Sequence, residues 1–123
     1  IINMLVNGAN DVLKYHKKKF KTKIIYVPGI FEIPYTISKN LKKYDAFIAL
    51  GCVIKGETPH FDFISKSTID AIMKLSIENK KPIGNGILTC LNKNQAVERA
   101  DKSNKNKGKE AADAAIKLLI SDK

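Results

Sequence analysis

Leu5, Ala9, Val12, Leu13, His16 and Phe20 recur at helical spacing, which predicts an amphipathic helix over residues 3–19. KIIYVP, 23–28, is short, rich in β-formers and stopped by Pro-Gly, the pattern of a strand. A second helix is expected over 32–44, with Pro34 tolerated in its first turn. DAFIALGCV, 45–53, is almost continuously apolar, as a strand buried on both faces would be. Phe61, Ile64, Ile69, Ile72, Met73 and Leu75 form a stripe that predicts a long helix over 60–79. PIGNGILT, 82–89, reads as a third strand containing two glycines. Asn92, with Gln95 three residues later, resembles a capping pair opening a helix to about residue 100. The polar segment 101–107 then separates it from a last helix, 108–120.

Strands alternating with helices of this length imply an α/β domain, a parallel sheet covered by helices on both faces. No internal repeat or linker interrupts 1–123, so a single domain is expected. Open sheets of this kind bind ligands beyond the carboxyl ends of their strands. Here those ends are PGIFE, CVIKGETPH and TCLN, which gather glycine and polar residues on one edge.

Composition narrows the classes. No apolar run approaches the ~20 residues of a membrane-spanning helix, and the opening IINMLVNGAND lacks the pattern of an export signal. Two cysteines, Cys52 and Cys90, suit neither a disulfide framework nor a metal site, and a reducing, cytoplasmic compartment is expected. The net charge of +10 invites a nucleic-acid reading. Lysine is spread around the chain without interleaved aromatics, however, so a solvated basic surface is the simpler reading and neither nucleic acid nor membrane is expected as a partner. Among the 22 basic residues only Arg99 is an arginine, and lysine cannot supply its planar fork.

GETPH, 56–60, is the densest group of candidate chemistry. Free amides and the positive helix end there would face an anion, with the Thr58 hydroxyl as a further donor. An ordinary helix start capped by Thr58 explains the same residues. His60 has a side chain suited to proton transfer near neutrality, or it simply opens a helix. Glu32 follows Pro-Gly at another strand end, placed either to favour a helix start or to accept hydrogen bonds from a hydroxylated ligand. Arg99 beside Glu98 and Asp101 suits an ion pair or phosphate capture. Lys107 is either a ligand contact or exposed. Walker, GxGxxG, CxxC and nucleophile-elbow motifs are absent from the sequence.

Taken together, PGIFEIP, GCVIKGETPHFDFIS, GILTCLNKNQAVERA and NKGKEAADAAI resemble the lumazine synthases of riboflavin biosynthesis, in register from about residue 3 to 120. The resemblance implies a three-layer α/β sandwich of flavodoxin-like strand order. It also implies condensation of 5-amino-6-ribitylaminouracil with 3,4-dihydroxy-2-butanone 4-phosphate, giving 6,7-dimethyl-8-ribityllumazine. By position, Ile30, Phe31 and Glu32 would hold the pyrimidine and ribityl chain, joined by Cys52, Val53 and Ile54. Glu57, Thr58 and Arg99 would bind the butanone phosphate, and His60 would transfer protons. Asn85, Arg99 and Lys107 would come from a neighbouring subunit. The family uses no metal or organic cofactor. It forms homo-oligomers, pentamers that in some members build sixty-subunit shells, and riboflavin synthase is a partner.

Some positions depart from the family. Asn85 stands where some members place a stacking aromatic, and Lys55 replaces a frequent arginine. The family's first strand has no counterpart: the chain opens inside the helix that follows, so it is expected to be truncated and to extend upstream of Ile1 in its native form. In that strand order the missing strand would be central, leaving 23–28 and 45–53 on either side of an empty slot. A flavodoxin-like binding module, which has no need of His60, is the rival reading.

Overall fold

The computed structural model describes residues 1–16, 19–56, 59–101 and 105–121. Its elements are α1 (Ile2–Tyr15), a 3-10 turn (Ile30–Glu32), α2 (Ile33–Asn40), β1 (Phe47–Ile54), α3 (His60–Asn79), β2 (Ile83–Cys90), α4 (Lys93–Ala100) and α5 (Lys107–Ser121). The two strands pair in parallel, Phe47 opposite Ile83 through Ile54 opposite Cys90. Lys55 extends the ladder by one bond, its amide donating to the Cys90 carbonyl at 2.8 Å.

Alternation along the strands divides the core in two. Ala49 and Ile87 join Ile30, Ile33, Ile37 and Ile72 beneath α2 and α3. Leu88 and Cys90 join Leu5, Ala96 and Ala100 beneath α1 and α4. The result is a parallel sheet between two helical layers. On the α5 side the approach is very close. A Cβ on Gly84 would lie 2.0 Å from the Ala111 carbonyl oxygen, so only glycine lets α5 lie against β2 there.

Local chemistry sets the boundaries. Asn92 accepts from the Gln95 amide at 2.9 Å, and the Gln95 side chain accepts from the Leu91 amide at 2.8 Å. The Asn92 cap is the one that the spacing predicts, and the return bond from Gln95 reaches one residue further back than in a capping box. Helix α3 ends at Lys80, which adopts the left-handed conformation at φ 51°, with Pro82 just beyond. Lys81 then donates its ammonium to the carbonyls of Leu41 and Tyr44, tying the entry to β2 to the end of α2.

Three expectations are corrected. KIIYVP forms no strand: among the described residues the sheet holds β1 and β2 alone, and 19–27 has no regular structure. Its β-rich composition supplies only a preference, and a ladder needs a partner edge. The second helix stops at Asn40 rather than near 44. The first ends at Tyr15, with His16 already extended.

Candidate functional site

The sequence-predicted residues gather in two groups on different sides of the sheet. The first lies around the carboxyl end of β1. The 3-10 turn puts Ile30 into the core, where it touches Gly51: a Cβ on Gly51 would sit 2.6 Å from Ile30 Cγ2. That contact holds the turn against the strand. It leaves Phe31 58% exposed and Glu32 half-buried, the carboxylate curled near Gly29. Cys52 and Val53 are half-buried and Ile54 is exposed at the end of β1. Burial, then the neighbouring Cys90 thiol, pushes the Cys52 thiol above its ordinary range. Cys52 therefore stays protonated near neutrality and offers main-chain groups and packing rather than a nucleophile.

His60 is the first residue of α3 and is exposed. The helix has Pro59 at its N-cap position, and the reading of Thr58 as its cap falls on a residue outside the described ones. Glu57 and Thr58 lie outside the described residues, and the expected anion loop with them.

The second group lies on the outer edge of β2. The Pro82 and Cys90 carbonyls turn towards β1, so the alternate residues 85, 87 and 89 turn their main-chain groups outward. Asn85 is exposed there, and its side-chain oxygen accepts from the Ile87 amide at 3.0 Å. Arg99, on the last turn of α4, reaches back to this edge. Its Nη1 donates to the Thr89 carbonyl at 3.5 Å and lies equally far from Cys90 Sγ. Lys107 opens α5 and pairs with Glu110 at 2.9 Å. Asn85, Thr89, Arg99 and Lys107 together line a cavity of about 360 Å³. It is a polar cleft with two cationic side chains, suited to an anionic ligand.

Sequence reasoning missed two residues of this group. Thr89 lines the cleft; nothing in its local pattern marks it. Asn106 is 4% exposed and sets the position of Lys107. Its side-chain oxygen caps the Lys109 amide at 2.9 Å, while its nitrogen donates to the carbonyls of Ala100 and Met4 at 2.7 and 3.0 Å. An asparagine just before a helix-opening Lys-Gly was the available signal. Among the described residues no cluster of His, Cys, Asp and Glu could hold a metal ion. No helix among them is long and apolar enough to cross a membrane.

The cleft at β2 thus holds Asn85, Arg99 and Lys107 and none of the residues of the turn, of the β1 end or of α3. A family model described as 6,7-dimethyl-8-ribityllumazine synthase matches residues 1–122. The chain is 46% identical over 122 residues to the 6,7-dimethyl-8-ribityllumazine synthase of Blochmanniella pennsylvanica, covering 95% of this chain and 77% of that protein. It is 43% identical to the protein of the same name from Bartonella tribocorum, over 97% of this chain and 80% of that protein. With the one from Campylobacter jejuni the identity is 41%, over 97% and 79%.

Proposed function

From the premise that the chain belongs to the 6,7-dimethyl-8-ribityllumazine synthase family, we propose that its two half-sites meet between neighbouring copies to form one active site. The activity is that of the family, a transferase step of riboflavin biosynthesis. It condenses 5-amino-6-ribitylaminouracil with 3,4-dihydroxy-2-butanone 4-phosphate to 6,7-dimethyl-8-ribityllumazine and releases phosphate.

The observation that carries the shared site is the division itself. Groups suited to a hydroxylated heterocycle and to proton transfer surround the end of β1, whereas Arg99 and Lys107 line a cleft on the outer edge of β2. A closed ring of copies brings the β2 edge of one against the β1 end of the next. In the joined pocket Ile30, Phe31 and Glu32 hold the pyrimidine and ribityl chain, with the Glu32 carboxylate accepting from ribityl hydroxyls. Cys52, Val53 and Ile54 contribute main-chain contacts to the same substrate. Arg99 binds the phosphate, helped by the 57–58 segment, while Asn85 and Lys107 close the pyrimidine side.

The chemistry asks for orientation before anything else. An aromatic amine and a ketone form a Schiff base unaided, losing the carbonyl oxygen as water, and positioning can contribute effective molarities of order 10⁵ M. His60 moves protons to and from that intermediate, and Arg99 stabilises the departing phosphate. The assembly is a cytoplasmic pentamer or a shell built from pentamers, with riboflavin synthase as its partner.

Replacing the one arginine tests the phosphate assignment. Arg99→Lys keeps the charge but loses the two-pronged hydrogen bonding, a loss of about 1–3 kcal/mol. Steady-state kinetics should show a KM for the butanone phosphate raised about tenfold or more, with the KM for the pyrimidine nearly unchanged. Equal effects on both constants would remove Arg99 from the phosphate site.

A further inference from the structure

The two cations of the β2 cleft stand on helix ends. Arg99 is the last residue but one of α4, and Lys107 is the first of α5. Packing holds the helix bodies: Ala96 is buried in the core, and Gly84 and Gly108 let α5 press against β2 and α1. The ends are another matter, because the last carbonyls and first amides of a helix have no partner within it and terminal turns fray. Residues 101, 105 and 106, the described part of the connection, belong to no helix or strand. Each cation has a partner of its own, the Thr89 carbonyl for Arg99 and Glu110 for Lys107. Neither partner ties one end to the other.

Asn106 supplies that tie. Ala100 is fully buried, so its carbonyl needs a partner from the protein. The Asn106 nitrogen donates to it at 2.7 Å, while the side-chain oxygen accepts from the Lys109 amide at 2.9 Å. A second donation, to the Met4 carbonyl at 3.0 Å, anchors the same amide on α1. Both donors and the acceptor are engaged, and reversing the amide would set carbonyl against carbonyl. Gly8 makes the room, since a Cβ there would overlap the Asn106 side chain. An aspartate has no donors, and a serine caps a helix but is too short to span both ends. A carboxamide does both.

We propose that Asn106 is a positioning residue of the reaction: it pins the end of α4 to the start of α5 and so fixes Arg99 and Lys107 relative to each other across the cleft. This rests on the reading in which Arg99 takes the phosphate and Lys107 the pyrimidine side. The two substrates are then held by two helix ends that one amide aligns. Because the condensation depends on orientation, a displacement of about 1 Å costs up to about 10²-fold in rate.

Asn106→Ser separates the two ends, since its hydroxyl still caps α5 but reaches neither Ala100 nor Met4. With the protein folded, the KM for the butanone phosphate should rise about fivefold or more, and that for the pyrimidine should hardly change. Asn106→Ala releases both ends and should raise both constants. Gly8→Ala, on α1 and away from the cleft, should raise them too by displacing the amide. Lys81→Met, which removes a tie at the entry to β2, should lower stability without moving either constant. Hydrogen exchange in Asn106→Ser should quicken at 97–101 and stay unchanged along β1. Arg99→Ala separates the positioning from the phosphate assignment. If Arg99→Ala raises the KM for the butanone phosphate and Asn106→Ser does not, the positioning is overturned and the assignment stands. If Arg99→Ala leaves it unchanged, the assignment fails, and unchanged exchange at 97–101 in Asn106→Ser then overturns the pinning as well. Added to Arg99→Ala, Asn106→Ser should have no further effect on that constant. A further rise of similar size, or an equal rise in Lys81→Met, would reduce Asn106 to a stabilising contact.

Discussion

His60 and Cys52 sit near each other in the chain's plan, yet their environments give them different tasks. His60 opens α3 on an exposed surface, the setting that the proposed proton transfer requires. Replacing it with asparagine keeps shape and polarity but removes the titrating group. Turnover of His60→Asn should fall by about 10²–10⁴-fold, the usual worth of a positioned proton carrier, without vanishing. An unchanged rate near neutral pH would reduce His60 to a helix-start residue. Cys52 behaves oppositely, because burial holds its thiol protonated. The folded chain binds that proton more tightly than the unfolded chain does. Stability from this source is therefore full below the ordinary thiol range and falls as pH rises through it towards the raised folded value. Urea midpoints measured between about pH 8 and 10 should decline less steeply in Cys52→Ala than in the parent chain. Identical slopes would contradict the assignment.

At the scale of elements, what the sequence discloses depends on whether the signal is local. Helix α3 is legible from His60 to Asn79 because its start follows Pro59 and its end precedes Lys80 and Pro82. Helix α4 is legible because Asn92 caps the Gln95 amide in its first turn while the Gln95 side chain ties back to the Leu91 amide just before the cap. KIIYVP misleads, since its composition favours a strand while a strand exists only through a partner edge. The cleft at β2 is half legible. Asn85, Arg99 and Lys107 carry motif signals, but Thr89 enters only through strand register.

Asn106 joins three elements, the end of α4, α1 and the start of α5, through a single buried amide. Asn106→Ala should cost about 2–4 kcal/mol, combining a lost cap with two carbonyls left unanswered. Asn106→Asp should do no better, since it restores the cap oxygen but sets a carboxylate against those carbonyls. Urea unfolding decides between this and a purely local cap, for which the aspartate variant would recover most of the stability.

For the whole molecule, the proposed division of the site between copies is the claim that matters most. One copy places Glu32, Cys52 and His60 around the end of β1, and Arg99 and Lys107 on the far edge of β2. A site shared between copies makes catalysis a property of the assembly, so dilution that separates copies should silence it. It also makes defects on different half-sites complementary. A chain with His60→Ala retains a working β2 cleft, and a chain with Arg99→Ala retains a working β1 end. When the two are unfolded together in equal amounts and refolded, random assembly unites an intact β1 end with an intact β2 cleft in about one quarter of the sites. Lumazine formation by the mixture should therefore recover to about a quarter of the parent rate, while each variant refolded alone stays near its own low level. A mixture no more active than the average of the two variants would contradict the shared site and return both half-sites to a single chain.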